Sequence, residues 1–299
     1  MKAHKFLQIL AICLVLLVIV GIEACPQGGG GAAKTTGYVG LSASFIEGTP
    51  PVNVLVNQNF QIYAEVKNLG DANVAPGTAS FYLSGLSPNV ENIKSSLTNK
   101  NFLGKGSYER LDFADSAKSS LELIQPLNLV MLLTSCYKYG GRAQAEVCIT
   151  SSNKSQVCSI SGEKITFNTD EPVQVTSLKE TNVGNKVQMS FTIENKGKGT
   201  VYLPDTDCEK RQKNDINEAL KSDRLQVRIS TIEKGLTCKL QTLDTSHNSI
   251  DALEGGASLG TVLCEKSLAG EEDHKTAIQI ILDYVYIETS SRSMMISPA

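Results

Sequence analysis

A pattern that occurs twice, in distant parts of the chain, most strongly constrains its fold. Residues 60–74 and 187–201 align without gaps, so that VKNLG at 66–70 matches IENKG at 193–197. Before the Asn, apolar and polar residues alternate in both copies, which is typical of a β-strand with one buried face. The Asn-x-Gly step then predicts a turn, because Gly adopts positive φ and Asn bonds to nearby backbone. A second strand-like segment follows each turn, so the repeat predicts one β-hairpin unit used twice.

The rest of the chain indicates further short strands separated by turn-rich stretches, which is the pattern of β-sandwiches. The strand-like segments are residues 40–45, 78–83, 127–133, 144–149, 173–178, 200–203, 225–229, 260–264 and 277–287. Only residues 207–224 have a helical pattern, in which Asp207 would cap the first turn. We expect a short surface helix there, without a role in binding. The predicted fold class is therefore all-β.

The length of the chain favours two domains, since the part from Cys25 to Ala299 exceeds the size of most single domains. A junction is expected within FNTDEPVQV (167–175), where Pro172 ends one element and a new strand begins directly. The predicted organisation is a signal peptide or membrane anchor (1–24), a Gly-rich tether (25–37), a first β-sandwich domain (38–168) and a second one (169–299).

The first residues predict export. A short basic start precedes an apolar run over residues 6–22, which suits a secretory leader. IEAC at 22–25 resembles a lipobox, and cleavage there would free the amine and thiol of Cys25 for lipid attachment. An uncleaved membrane anchor and simple secretion are the alternatives. All three place the chain from Cys25 onward outside the cytoplasm, and we expect a membrane-anchored, extracytoplasmic protein at the cell surface.

Six further cysteines predict disulfides, because an even number of cysteines in an exported chain is typical of a disulfide framework. A zinc site would need close pairs such as C-x2-C, which this sequence lacks. Cys148 and Cys158 could close a hairpin, and one bridge could join the two domains, but the sequence leaves the pairing open. The candidates are Cys136, Cys148, Cys158, Cys208, Cys238 and Cys264.

A family resemblance rests on the same repeated segments. VNQNFQIYAEVKNLGDANVAPGTASFYLSG (56–85) resembles the CARDB class of immunoglobulin-like surface domains. SCYKYGGRAQAEVCI (135–149), VQVTSLKE and VQMSFTIENKGKGTVY are similar to segments of secreted archaeal lipoproteins that carry such domains. The resemblance covers about a third of the chain. It implies two immunoglobulin-like β-sandwich domains after an N-terminal hydrophobic leader helix, and it carries no catalytic residue over.

Catalytic patterns are weak in this sequence. GASLG at 256–260 matches the G-x-S-x-G nucleophile elbow around Ser258, but that motif works where a strand leads into a helix. Here a Gly-rich loop precedes the Ser and strand-like residues follow it. Beyond the leader only His247 and His274 offer imidazoles, and they share no spacing typical of a metal site or a catalytic base. We therefore predict that the chain is not an enzyme and needs no cofactor.

Other candidate sites have simpler explanations. The acidic residues at 170–171 and 271–273 could offer oxygen ligands to calcium, but neither cluster has the D-x-D-x-D-G pattern, so no metal site is predicted. Asn153 lies in an N-K-S sequon and is a candidate for glycosylation. Tyrosines recur at period two, at 137 and 139 and at 284 and 286. We expect them to pack within a sheet and not to form a sugar-stacking platform.

These features predict a non-enzymatic, membrane-anchored lipoprotein that presents two immunoglobulin-like domains at the cell surface for adhesion or partner binding. The expected partners are the membrane, through the lipid or the N-terminal helix, and an extracellular protein or an envelope polymer. A net charge of −3 argues against nucleic acid as a partner. Self-association remains open. The alternative function is a structural subunit of a surface filament or layer that retains its apolar N-terminal helix.

Overall fold

The computed structural model describes residues 40–87, 89–151, 155–231, 235–240, 253–254, 258–270 and 272–299. The predicted leader, the tether with Cys25, and Asn153 and His247 lie outside these residues. Among the described residues, no helix has both the length and the apolar character needed to cross a membrane.

Strands make up most of the described chain and helices very little of it, which confirms the all-β prediction. The strands are β1 Leu41–Phe45, β2 Asn53–Leu55, β3 Asn59–Asn68, β4 Ala79–Ser84, β5 Val90–Glu91, β6 Ser96–Thr98, β7 Tyr108–Ser119, β8 Leu127–Ile149, β9 Thr166–Asn168, β10 Val173–Val183, β11 Lys186–Asn195, β12 Thr200–Tyr202, β13 Arg224–Thr231, β14 Thr237–Leu240, β15 Leu253–Glu254, β16 Ser258–Ser267 and β17 His274–Ser297. Two short helices, α1 Cys208–Gln212 and α2 Ile216–Ala219, lie where the sequence predicts helix.

These strands form three sheets around one continuous hydrophobic core. The largest sheet has nine strands and follows the path β15-β13-β17-β8-β4-β6, with β12 and β2 also pairing with β17, and β9 with β8. The two four-stranded sheets have the orders β1-β3-β7-β5 and β10-β11-β16-β14. The first uses strands that precede residue 120, and the second uses strands that follow residue 172.

Strands β8 and β17 form the centre of the nine-stranded sheet, where they pair antiparallel from Leu127 opposite Ile296 to Ile149 opposite His274. The sequence predicts two separate strands within β8, at residues 127–133 and 144–149. The structure continues one strand through the intervening Gly140 and Gly141. A Cβ atom at Gly140 would lie 2.8 Å from the carbonyl oxygen of Leu282, so this glycine permits close approach of the two backbones.

The repeated segment occupies equivalent places in the two halves of the structure. Strands β3 and β11 each lie second in a four-stranded sheet and each end at the repeated Asn, Asn68 and Asn195. In the nine-stranded sheet the order β6-β4-β8 of the first half corresponds to β15-β13-β17 of the second. The predicted β-hairpin is wrong, however. The Asn-x-Gly step carries the chain from one sheet to another, since β3 pairs with β1 and β7, whereas β4 pairs with β6 and β8.

Four tyrosines pack where the two halves meet on β8 and β17. Tyr139 lies opposite Tyr284, and Tyr137 lies opposite Tyr286. Neighbouring rings are 5.4 to 6.3 Å apart between centroids, the range of favourable aromatic pairs. All four side chains are buried, which confirms the predicted packing role.

The predicted domain boundary between residues 168 and 169 stays a prediction. Strands from both sides of it share the nine-stranded sheet, because β8 precedes the boundary and β17 follows it. The boundary falls at the end of β9, just before β10 begins the second four-stranded sheet.

Candidate functional site

The outer face of the nine-stranded sheet, which faces away from the main core, carries a groove of about 870 Å³. We call it the outer groove. Its floor is formed by Ser80 and Tyr82 of β4 and by Thr78, which directly precedes the strand. Strand β6 forms one wall, and α1 with the residues that precede it forms the other. The full lining is Gly77, Thr78, Ser80, Tyr82, Leu83, Ser95, Ser96, Leu97, Thr98, Lys138, Thr206, Asp207, Cys208, Glu209, Gln212 and Lys213.

Helix α1 is too short to be stable by itself, so its position depends on tertiary contacts. Asp207 caps it as predicted, accepting hydrogen bonds from the backbone N–H groups of Glu209 at 2.9 Å and Lys210 at 3.1 Å. The disulfide between Cys208 and Cys136 ties the first residue of the helix to β8. These contacts fix one wall of the groove.

A small apolar cluster beneath α1 completes the attachment. Tyr82, Cys136, Tyr202 and Val285 pack together there, separately from the main core. The guanidinium of Arg211 donates a hydrogen bond from Nε to the hydroxyl of Tyr202 at 3.0 Å. Its central carbon also lies 5.5 Å from the centroid of the Tyr202 ring, within the range of a cation–π contact. The helix therefore covers an aromatic residue that would otherwise be exposed on the sheet.

The groove contains charges of both signs. Glu209 and Lys213 form an ion pair at 2.5 Å along α1. Hydrogen bonds from the backbone, chiefly that of Lys210, hold the pKa of Asp207 below its usual value, so this carboxylate stays ionised while it caps the helix. Lys138 is exposed at the end of the groove and makes no ion pair with any described residue. Together with the hydroxyl groups of the floor, these groups suit a polar ligand held by hydrogen bonds.

An acidic cluster lies at the predicted junction between the halves. The ammonium group of Lys105 is 2.6 Å from a carboxylate oxygen of Asp71 and 3.0 Å from one of Asp170. Glu171 is only 2% exposed, and burial raises its pKa to about 7, although hydrogen bonds from Thr169 and Ala72 act in the opposite direction. Within the described chain, no group of three or more acidic, His or Cys side chains could hold a metal ion.

The structure pairs all six candidate cysteines. Cys148 bonds to Cys158 across a short loop, as the sequence suggests. Cys136–Cys208 joins residues on either side of the predicted boundary, and Cys238–Cys264 links β14 to β16. Three disulfides indicate an oxidising, extracytoplasmic environment. The candidates for lipid attachment and glycosylation, Cys25 and Asn153, lie outside the described residues.

The residues of the G-x-S-x-G match do not form a nucleophile elbow in the described backbone. Ser258 is the first residue of strand β16, opposite Glu194 on β11, whereas the elbow places its Ser between a strand and a helix. His274 is the first residue of β17, and its Nδ1 lies 2.7 Å from the carbonyl oxygen of Glu272.

The outer groove is the feature that the sequence does not predict. Its floor, walls and end come from four separate segments, around residues 78–82, 95–98, 138 and 206–213. The only sequence signal for their proximity is the pair Cys136 and Cys208, whose partners cannot be chosen from spacing alone. The helix expected to have no binding role forms a wall of this groove.

No protein-family model matches this chain, and no curated protein matches it. Among solved structures, the chain is similar to the secreted serine protease VesC from Vibrio cholerae, with 13% sequence identity and a TM-score of 0.20, over 85% of this chain and 51% of that chain. The chain thus spans about half the length of that structure. The prediction that the chain is not an enzyme is wrong as stated, because no finding supports the absence of an activity. The likeness is too distant to assign an activity to this chain.

Proposed function

We propose that this protein is a membrane-anchored cell-surface lipoprotein that binds a partner in the outer groove. The observation that carries the proposal is the Cys136–Cys208 disulfide, which fixes α1 beside the sheet and so shapes a groove with a polar floor and an exposed Lys138. A fixed concave site is what a binding protein needs, because a pre-organised wall costs little entropy when a ligand is bound.

The presentation of this groove would come from two immunoglobulin-like halves. Each half contributes a four-stranded sheet and a share of the nine-stranded sheet, in the same strand order. This supports the two-layer arrangement implied by the resemblance to CARDB domains. The partner would be an extracellular protein or an envelope polymer, since three disulfides favour a location outside the cytoplasm.

Anchoring is proposed through a lipid on Cys25. The support is the IEAC sequence at 22–25 after an apolar segment, followed by a Gly-rich tether that would hold the folded part away from the bilayer. The intact mass of the protein from its native membrane tests this proposal. A chain that begins at lipid-modified Cys25 is expected. A chain that retains residues 1–24 would contradict it and favour the filament or layer subunit.

Binding is tested with two matched variants. Ser80→Arg places a large cation on the floor of the outer groove, on β4. Ser230→Arg places the same side chain on β13, the strand that takes the place of β4 in the second half. Binding of purified protein to cell envelopes from its source is expected to fall at least tenfold for Ser80→Arg and to stay unchanged for Ser230→Arg. Equal binding by both variants and the natural protein would reject the groove as the binding site.

A further inference from the structure

The floor of the outer groove offers a partner side chains and no free strand edge. Strand β4 pairs with β6 from Ser80 opposite Thr98 to Tyr82 opposite Ser96, and on its other side it pairs with β8 along its whole length. Both edges of β4 are therefore occupied, so a peptide strand cannot add to the floor. A partner has to recognise the side chains that point out of the sheet.

These side chains carry a group of hydroxyls. Residues opposite each other on antiparallel strands point to the same face, so Ser80 lies beside Thr98 and Tyr82 lies beside Ser96. We call these four hydroxyl groups the hydroxyl array. A hydroxyl both donates and accepts hydrogen bonds, whereas an ammonium group only donates and a carboxylate only accepts. A partner that carries hydroxyls of its own can therefore bond to every member of the array.

One further hydroxyl in the lining is buried without a partner. Thr206, which directly precedes the cap of α1, is 5% exposed, and its Oγ1 makes no hydrogen bond to any described residue. Such a group costs free energy, because it loses its bonds to water and gains none from the protein. A ligand hydroxyl that bonds to Thr206 removes this cost.

The segment that holds Thr206 is fixed from behind by α2 and the residues that follow it. The N–H of Asp207 donates to Oε2 of Glu218 at 2.9 Å. The ammonium group of Lys221 lies 3.1 Å from a carboxylate oxygen of Asp205 and 3.2 Å from one of Glu218. Because these bonds exist before a partner arrives, little of the segment has to be ordered on binding.

The charges of the lining cancel. Lys138 and Lys213 carry two positive charges, and Asp207 and Glu209 carry two negative ones. Glu209 and Lys213 also pair with each other along α1. A polyanion or a polycation is attracted by a surface of the opposite sign, which this groove does not present. The balanced lining favours a partner without charge.

We propose that the partner in the outer groove is a neutral polysaccharide of the cell envelope, whose hydroxyl groups bond to the hydroxyl array and to Thr206. A neutral polysaccharide carries hydroxyls along its length and no charge, and it needs no free strand edge. The groove, of about 870 Å³, lies within the size range of ligand sites and would hold a short segment of such a chain. This inference rests on the proposed function and narrows its partner to one class.

Cell envelopes from the source of the protein test the inference, because two treatments distinguish glycans from proteins. Periodate cleaves the carbon–carbon bonds of vicinal diols in sugars, and proteinase K digests polypeptides. Binding of the natural protein is expected to fall at least tenfold after periodate and to stay unchanged after proteinase K. Polysaccharide extracted from the same envelopes is then separated by anion exchange. The neutral fraction is expected to compete for binding, and the acidic fraction is not.

Two matched variants locate the contact. Thr206→Val replaces the buried hydroxyl with a methyl group and is expected to weaken binding about fivefold, the value of one hydrogen bond. Thr276→Val makes the same change on β17, where Thr276 is 4% exposed and its hydroxyl also lacks a described partner. This control is expected to bind like the natural protein. Neither variant is expected to lose stability, since neither hydroxyl makes a bond that the change would break.

Binding that survives periodate and is lost after proteinase K would overturn the inference and assign the groove to a protein. Equal or stronger competition by the acidic fraction would assign it to a charged polymer. Equal binding by Thr206→Val and the natural protein would contradict the contact with Thr206. In these cases the proposed function still stands if Ser80→Arg lowers envelope binding. Unchanged binding by Ser80→Arg, or no binding to untreated envelopes, would reject both.

Discussion

The hydroxyl of Tyr139 donates a hydrogen bond to the side-chain oxygen of Asn68 across 2.9 Å, inside the core. The same oxygen accepts from the N–H of Gly70, and the amide nitrogen of Asn68 donates to the carbonyl oxygens of Ala72 and Leu103. One side chain thus joins a strand end, the following turn and a tyrosine of another sheet. In the second half, Asn195 makes the matching bonds to Gly197, Gly199 and Tyr286, with the tyrosine further away at 3.4 Å.

Asn68→Ala is expected to destabilise the fold by about 3 kcal/mol, because it leaves the buried hydroxyl of Tyr139 and several backbone groups without partners. Asn68 is fully buried, whereas Asn195 is partly exposed and water can replace some of its bonds. Asn195→Ala is therefore the matched control, with an expected loss of about 1 kcal/mol. Urea denaturation followed by circular dichroism measures both. Equal losses would show that burial does not distinguish the two copies.

The stability of the protein is expected to fall as the pH rises from about 4.5 to about 7. Burial raises the pKa of Glu171 from 4.5 to about 7, so the folded state holds a proton that the unfolded state releases in this interval. Burial also raises the pKa of Glu180 and of Glu288, which acts in the same direction. Glu171→Gln stays neutral at every pH and is expected to flatten the dependence. Thermal melts at pH 5 and pH 8 measure it, and an unchanged slope in the variant would contradict the assignment.

The disulfides are expected to contribute unequally. Cys136 and Cys208 are separated by 72 residues and Cys148 and Cys158 by 10, and a longer closed loop restricts the unfolded chain more. Replacing the first pair with Ser is expected to cost about 4 kcal/mol, and replacing the second about 3 kcal/mol. The first double variant is also expected to release α1 and so to lose envelope binding. Denaturation and envelope binding of both double variants test this, and retained binding without Cys136–Cys208 would argue against a preformed groove.

A buried ion pair between Lys164 and Glu180 stabilises strand β10, the first strand of the second half. The carboxylate of Glu180 is fully buried, lies 2.7 Å from the ammonium group of Lys164 and accepts a hydrogen bond from the N–H of Cys148 at 2.7 Å. Lys164→Met leaves that carboxylate without its cation and is expected to cost about 3 kcal/mol or more. The double variant Lys164→Met/Glu180→Leu removes both charges and is expected to lose less. A double variant less stable than the single one would show that the pair itself contributes the stability.

The strand content and the repeat could be predicted because alternation with period two is local information. The path of the chain after Asn68 could not, since an Asn-x-Gly turn looks the same whether the next strand pairs with its neighbour or crosses to another sheet. The continuity of β8 could not be predicted either. A glycine inside a strand pattern, such as Gly140, usually indicates a break, and only the structure shows that Leu282 approaches it closely. The outer groove depends on contacts between distant segments, which no single segment encodes.

The pairing of β8 with β17 has a mechanical consequence. All 23 residues of β8 face residues of β17 without a change of register. A force applied to β8 and β17 in opposite directions along the strands would load all the hydrogen bonds between them in shear, so these bonds would have to break together. A force applied across the strands would instead break the same hydrogen bonds one pair at a time. Along its long strands the protein is therefore built to transmit tension.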